Sequence, residues 1–459
     1  GAFPSPFEEY NPIASTWMLF SGVGSGLVVG RALSLGCGFM SSSSPGVAAA
    51  AAAYSASSSP SKASPLPVYF DHDGGSDDFV ALLYLLKHEQ RFNLLGVSVT
   101  PANSWWKAGT STTRKILRTF SERNRSSPSS ARGLAVPVAE CTLSGVNAFP
   151  DAWRFDACKL NLLPQLNAGF ETEEQTLRLE EGEGDSSNGV SGQQLMAQTL
   201  LAAESPVTVI ATGPMTNLAW VLDNFPEASS KISEVLIMGG AIDVPGNVFP
   251  ENVKGMDGTA EWNIFWDPPA AKRVWDSDLD LVLTPLDATN EIPVTKEMLL
   301  RLGRQKDSPF SNLVASIWAL AGGSLLETKS RPFYAWDLVT VAQLVHPELF
   351  TTSKVDCEIM VEGASQGRTA RTDGGDCDDP LALASSAKLP RLELTSSSVT
   401  PCLAAGRRQQ RQQPEQPSVV TEGAGGGRTV TIIRARDGKE VMDVILSELG
   451  APCGDGDTS

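Results

Sequence analysis

From Leu66 onward, short apolar runs alternate with longer stretches of helical character. The runs at 68–70, 93–100, 136–138, 207–211, 235–238 and 281–283 are mostly closed by Gly, Pro, Asp or Asn, which predicts buried strands. Between and after them, 79–88, 108–123, 194–203, 218–222, 269–275, 296–302, 311–321 and 337–344 predict helices. Such a succession predicts an α/β fold with an open, mostly parallel sheet and helices on both faces. The stretch between about 139 and 192 reads as a long loop, its acid-rich part 173–188 solvated. After a strand at 355–361 the pattern fails, and it returns as a strand at 428–436 and a helix at 439–449. That predicts a hairpin-plus-helix ending interrupted by a long insertion.

Composition divides the chain in the same way. Residues 1–65 are apolar and glycine-rich, then serine- and alanine-rich, and read as a targeting segment or a gene-model extension. Residues 66–449 read as the catalytic domain, with a disordered insertion at 374–427 and a tail at 450–459. With 459 residues and 41% apolar content there is material for one large core. The formal charge of −17 argues against nucleic acid or an anionic membrane surface as partner and fits a soluble, cytoplasmic enzyme, organelle or secretory targeting by residues 1–65 being the alternative. Seven scattered cysteines show no zinc spacing, and three histidines leave little for a histidine-based metal centre. Oligomeric state is not encoded in any feature of the chain; a homo-oligomer is compatible with it.

The chemistry concentrates in one turn. The sequence Val68-Tyr69-Phe70-Asp71-His72-Asp73-Gly74-Gly75-Ser76-Asp77-Asp78 runs from a strand through two glycines into a helix and carries four carboxylates. Like charges packed this closely raise one another's pKa unless a cation sits among them, and a hard divalent ion with oxygen ligands is the simplest remedy. The bland alternative is that Asp77 and Asp78 only complement a helix N-terminus. Other candidate residues fall at the carboxyl ends of the predicted strands, where ligands of open α/β sheets bind: Asp73, Asn103, Thr212 and the loop after Met238.

The motifs FDHDGGSDDFVAL, VNAFPDAWR, ATGPMTNLAW, IMGGAIDVPGNVF, DGTAEWNIFWDP, LDATNEIPV and YAWD follow one another between residues 70 and 337. In this content and order the chain resembles the calcium-dependent nucleoside hydrolases of the inosine–uridine-preferring superfamily, and most closely their purine-specific subgroup. The resemblance implies a Ca2+ cofactor held by Asp73, Asp78, the carbonyl of Thr212 and Asp337. It implies Asp73 as the general base, and Asp77, Asn103, Asn247, Glu261, Asn263 and Asp337 as ribose-binding residues. It further implies hydrolysis of the N-glycosidic bond of a small-molecule purine ribonucleoside, with Trp153 and Trp336 stacking on the base. Where broader-specificity relatives carry histidine, this chain has Trp336 and Asn290. Taken alone, Asp337 would also suit a helix N-cap, and Glu261-Trp262-Asn263 reads as a strand that turns Glu261 and Asn263 to one side. Gly75 and Asn103 depart from the purine-specific pattern, which bears on base preference. The alternatives are a broad ribonucleoside hydrolase that also accepts uridine and a silent nucleoside-binding paralogue.

Overall fold

A computed structural model of the chain describes residues 64–105, 107–121, 136–170, 172–182, 189–322, 332–372 and 427–452. The readings of 1–65, of the 374–427 insertion and of the 450–459 tail fall wholly or almost wholly outside these residues. The predicted apolar runs do become strands, because runs buried on both faces of a sheet need no polar alternation. They are β1 (Leu66–His72), β2 (Phe92–Val99), β3 (Val138–Glu140), β4 (Val207–Ala211), β5 (Ile232–Met238) and β6 (Leu281–Thr284). The chain ends add β9 (Phe350–Ile359), β10 (Thr369–Arg371) and β11 (Arg428–Ala435) to the same sheet, and β7 (Pro293–Val294) pairs with β8 (Phe333–Tyr334) apart from it.

The nine-stranded sheet runs β10-β9-β11-β6-β5-β4-β1-β2-β3. All pairs from β11 to β3 are parallel, while β11–β9 and β9–β10 are antiparallel. The expected hairpin is β9 with β11, followed by the closing helix Gly438–Gly450; β10, which the pattern did not announce, adds to the outer side of β9, and β11 lies between β9 and β6. The strand order reverses at β1: β2 and β3 lie to one side, β4, β5 and β6 to the other. That reversal opens a crevice at the carboxyl ends of β1 and β4, which is where ligands of doubly wound sheets bind.

Two apolar layers fill the space between sheet and helices. On one face, Phe79, Leu82, Leu83 and Leu86 of the helix Ser76–Lys87 pack with Leu338, Val341 and Ala342 of the helix Trp336–Val345. On the other, Leu218, Val221 and Leu222 of Thr216–Asn224 pack with Ala271 and Val274 of Pro268–Trp275. Both helices of the first layer point their N-termini at the crevice, so Asp77, Asp78 and Asp337 arrive there from first turns.

Three local expectations need correction. Residues 262–266 form a short helix capped by Glu261, whose carboxylate accepts from the Asn263 and Ile264 N–H groups; the 261–263 segment is not strand-like. Among its described residues the stretch 139–192 holds four short helices, Asp151–Arg154, Asp156–Asn161, Pro164–Asn167 and Glu173–Glu180, although Glu173 and Glu174 are exposed as the solvated reading required. Asp337 is no cap: Ala335 occupies that place, and Asp337 lies buried inside the first turn.

Candidate active site

The turn after β1 is shaped by two glycines. Gly74 holds φ +79°, a left-handed conformation that costs glycine little, and Gly75 then begins the helix as its N-cap. Having no side chain to cap with, Gly75 instead donates its N–H to Asp78 Oδ2 at 2.8 Å, and the Asp73 N–H reaches the same oxygen at 3.3 Å. Asp78 Oδ1 accepts from the Thr212 hydroxyl at 2.6 Å, which ties the β1 turn to the end of β4 across the crevice. Burial works against the Asp78 charge, but neighbouring His72 and the bonds with Asp73 and Thr212 outweigh it and hold its pKa below the usual carboxylate value.

Around this anchored carboxylate stand three strained ones. Burial and then the charge of Asp78 push Asp73 well up; the same two causes raise Asp77 to about 7. Asp337 is raised well above its ordinary value by burial and by repulsion from Asp77, Asp78 and Asp73. One carboxylate oxygen each from Asp77, Asp78 and Asp337 lie within 4.8 Å of one another. The set is all oxygen, Asp78 and Asp337 buried and Asp77 partly so, and it is short of positive charge, which is what a hard divalent cation is suited to complete.

The remaining predicted residues surround this cluster with more specific duties. Asn103 contributes a buried Oδ1 without a partner, and its amide nitrogen lies beside Gly75. Asn263 donates to the carbonyls of Thr212 and Met238, at 3.0 and 3.1 Å, and so fixes the carbonyl expected to face a metal. A carbonyl has two lone pairs, so this bond leaves one for a ligand. Glu261 binds the Gly240 N–H besides capping its own helix, and burial raises it to about 7. Asn247 Oδ1 accepts the Trp262 N–H at 3.1 Å, and its carbonyl accepts the Trp262 indole N–H at 3.1 Å.

Trp153 and Trp336 belong to different aromatic groups. Trp153 is 39% exposed on the short helix Asp151–Arg154 and meets Trp262 edge-on at 5.2 Å, with Phe149 alongside. Trp336 is half-buried next to Asp337 and meets Phe333 at 5.0 Å and Tyr334 at 5.8 Å.

Several supporting residues were not singled out from the sequence. Asp71, counted there as one acid of the cluster, is turned instead to Ser98 Oγ at 2.6 Å and Asn217 Nδ2 at 2.8 Å, and burial raises it to about 6. His72 is fully buried, with Nδ1 accepting from the Gly74 N–H and Nε2 against the Thr113 hydroxyl, both at 3.1 Å. Arg154 binds the carbonyls of Pro101 and Ser104 and lies over the Trp105 ring, fastening the Trp153 helix to the turn that carries Asn103. The Trp-Arg pair was visible as a motif, but nothing in it announced where the guanidinium would bind.

Fold and site together define an enzyme with an acidic, oxygen-lined crevice at the switch point of a doubly wound sheet. The chain belongs to the inosine–uridine preferring nucleoside hydrolase family, whose model matches residues 68–420. It is 30% identical over 317 residues to the pyrimidine-specific ribonucleoside hydrolase RihA of Escherichia coli O81 (strain ED1a), covering 66% of this chain and 88% of that protein. Its fold matches an inosine–uridine preferring nucleoside hydrolase from Bacillus anthracis with TM-score 0.61 and 26% identity, over 84% of this chain and 99% of the other. A plant nucleoside hydrolase matches with TM-score 0.60 and 19% identity, over 84% and 100%, which bears on the fold alone.

Proposed function

We propose that this nucleoside hydrolase is a calcium-dependent purine ribonucleoside hydrolase, releasing free base and ribose. The observation that carries the reading is the group of carboxylates Asp77, Asp78 and Asp337, one oxygen of each within 4.8 Å of the others, with Asp73 beside them donating its N–H to Asp78, and Asp78 bonded to the Thr212 hydroxyl. Asp73, Asp78, Asp337 and Thr212 O would hold Ca2+, which when bound supplies a water of lowered pKa. Asp73 takes the proton from that water as general base, and a site of raised proton affinity suits this once the cation has set its charge state. Asp77, Asn103, Asn247, Glu261 and Asn263, with Asp337, position the ribose; the unpartnered Asn103 Oδ1 is the atom most open to a hydroxyl donor. Attack at the anomeric carbon breaks the C–N bond through an oxocarbenium-like state, and the base leaves with a proton.

The purine preference rests on how the leaving base is helped. Of the three histidines in the chain, His72 lies under the turn with both nitrogens engaged, and His88 and His346 end helices whose first turns hold the carboxylates. No imidazole is therefore placed to protonate the base, and the indoles of Trp153 and Trp336 serve it by stacking, which favours a flat bicyclic ring. A second reading is a pyrimidine preference, favoured by the 30% identity to a pyrimidine-specific relative.

The test is ribose release from inosine, guanosine, adenosine, uridine and cytidine, with calcium and with chelator. Purines turned over, chelator-sensitive, with a loss of about 10²–10⁴ in Asp73→Ala, support the proposal. Faster release from uridine or cytidine replaces the purine reading with the pyrimidine one. Turnover indifferent to chelation removes the metal.

A further inference from the structure

The two helices that bring carboxylates to the active site meet again at their other ends. Ser76–Lys87 starts with Asp77 and Asp78 and is closed by His88; Trp336–Val345 starts with Asp337 and is closed by His346. Two of the chain's three histidines thus come together about 18 Å from the crevice, the length of a 12-residue helix. Between them stands Glu448, on the helix Gly438–Gly450. His88 Nε2 lies 3.2 Å from Glu448 Oε2, and His346 Nε2 lies 2.9 Å from Glu448 Oε1. One ligand atom from each of the three side chains falls within 4.8 Å of the others.

Three features set this group apart from an ordinary surface ion pair. His88 Nε2 is buried yet makes no aligned hydrogen bond, although a carboxylate oxygen is near. His346 Nδ1 is held by Glu348 Oε1 at 3.0 Å, the carboxylate–histidine arrangement that orients metal-bound imidazoles. Tyr84 donates its hydroxyl to Glu448 Oε2, and the Tyr84 ring meets the His88 ring edge-on at 4.9 Å, fixing both. The side chains remain 14–28% exposed, which sets the group at the protein surface.

We infer that His88, His346 and Glu448 form a second metal site, for a divalent first-row transition ion such as Zn2+. Two imidazoles and a carboxylate are borderline donors that suit zinc and its neighbours and are poor partners for calcium. Bonds of about 2.0–2.1 Å in a tetrahedron give ligand–ligand edges of about 3.3–3.4 Å; the 3.2 and 2.9 Å separations run to different oxygens of Glu448, and the one-atom-per-residue set, already within 4.8 Å, reaches those edges by side-chain rotation alone. Two helix C-termini, each partly negative, converge on the same point and favour a cation there. Arg91 is the cation felt by Tyr84 and Glu348, and the carboxylates Glu348 and Glu448 outnumber it. Glu448 lies beyond residues 68–420, so the three-residue set is not part of the matched family pattern. The bound ion joins the closing helix to the far ends of the helices carrying Asp77, Asp78 and Asp337.

The probe is Co2+, a spectroscopic stand-in for Zn2+, added to the full chain saturated with calcium. Expected are visible d–d bands that saturate at one equivalent, are displaced by Zn2+, persist in Asp78→Asn and vanish in the double variant His88→Gln/His346→Gln. Glu348→Gln should weaken binding roughly 10–100-fold while leaving the bands in place. Absence of bands at stoichiometric cobalt in the wild type, or identical bands in the double variant, overturns the site. Should the double variant fail to fold, the wild-type protein still decides: Zn2+ in excess calcium must raise its melting temperature, and no rise refutes the inference.

Discussion

Gly75 stands where the site leaves little room for a side chain. A Cβ built there would lie 2.7 Å from Asn103 Nδ2 and 2.9 Å from Asp77 Oδ1, while its φ of −65° is open to any residue. Gly75→Ala is therefore a steric test of the cradle and carries no backbone strain. Overpacking of this kind costs about 1–3 kcal/mol, or roughly 5–150-fold if it falls on the transition-state complex. We expect ribose release to drop within that range with the melting temperature nearly unchanged; wild-type turnover would mean that Asn103 and Asp77 move aside freely. Glu261 allows a test of the electrostatics. Its pKa rises from an unfolded value near 4.5 to about 7 on burial, so its contribution to stability is complete below the unfolded value and is lost as pH rises through the folded one. Each tenfold change in proton affinity on folding is worth about 1.4 kcal/mol, so between about pH 5 and pH 8 the wild type should lose on the order of 3 kcal/mol more than Glu261→Gln. Urea midpoints of the metal-free protein measure it, and parallel pH profiles for the two proteins would show that Glu261 is not raised.

At the scale of elements, the strands were the legible part, because burial on both faces leaves only short apolar runs ended by turn residues. Val207–Ala211 coincides with its predicted bounds for that reason. What pattern could not disclose was conformation decided by a side chain's distant partner. Glu261-Trp262-Asn263 alternates like a strand, yet Glu261 is better satisfied by the N–H groups of Gly240, Asn263 and Ile264, and a helix starts there. The short helix Asp151–Arg154 was likewise hidden, since four residues carry too little periodicity and its position depends on Arg154 reaching Pro101 and Ser104. That anchoring gives the helix a role worth testing. If it presents Trp153 to the base, Trp153→Ala should lower kcat/KM for inosine by about 5–150-fold, the range of the 1–3 kcal/mol that aromatic–base stacking contributes. Uridine, with a smaller ring, should lose less. Equal losses for both nucleosides would assign Trp153 to propping Trp262 and Phe149 and not to the base.

For the whole molecule, the order of strands in space departs from the order in sequence at the point that matters most for folding. β11 is the last strand of the described chain, yet it lies inside the sheet, parallel to β6 and antiparallel to β9. The alternating apolar pattern of 428–436 announced a strand, but no local signal could say that it would be internal, since that depends on which edge β6 leaves free. The consequence is that the last strand and helix, within residues 428–450, are structural for the whole sheet. Val430, Ile432, Ile433, Val441, Met442, Ile445, Leu446 and Leu449 are all buried there. At about 1.5–3 kcal/mol for each side chain, eight of them contribute roughly 12–24 kcal/mol of gross burial. Net stabilities of domains are only about 5–15 kcal/mol, so the loss exceeds what the remainder holds in reserve. A chain ending at residue 427 should therefore lose its cooperative thermal transition and its ribose release together, even though the crevice residues Asp73 to Asp337 are all retained. Circular dichroism melting with a parallel activity assay checks this. A truncated chain that still melts cooperatively would place β9 directly on β6 and make β11 an addition to a sheet already complete.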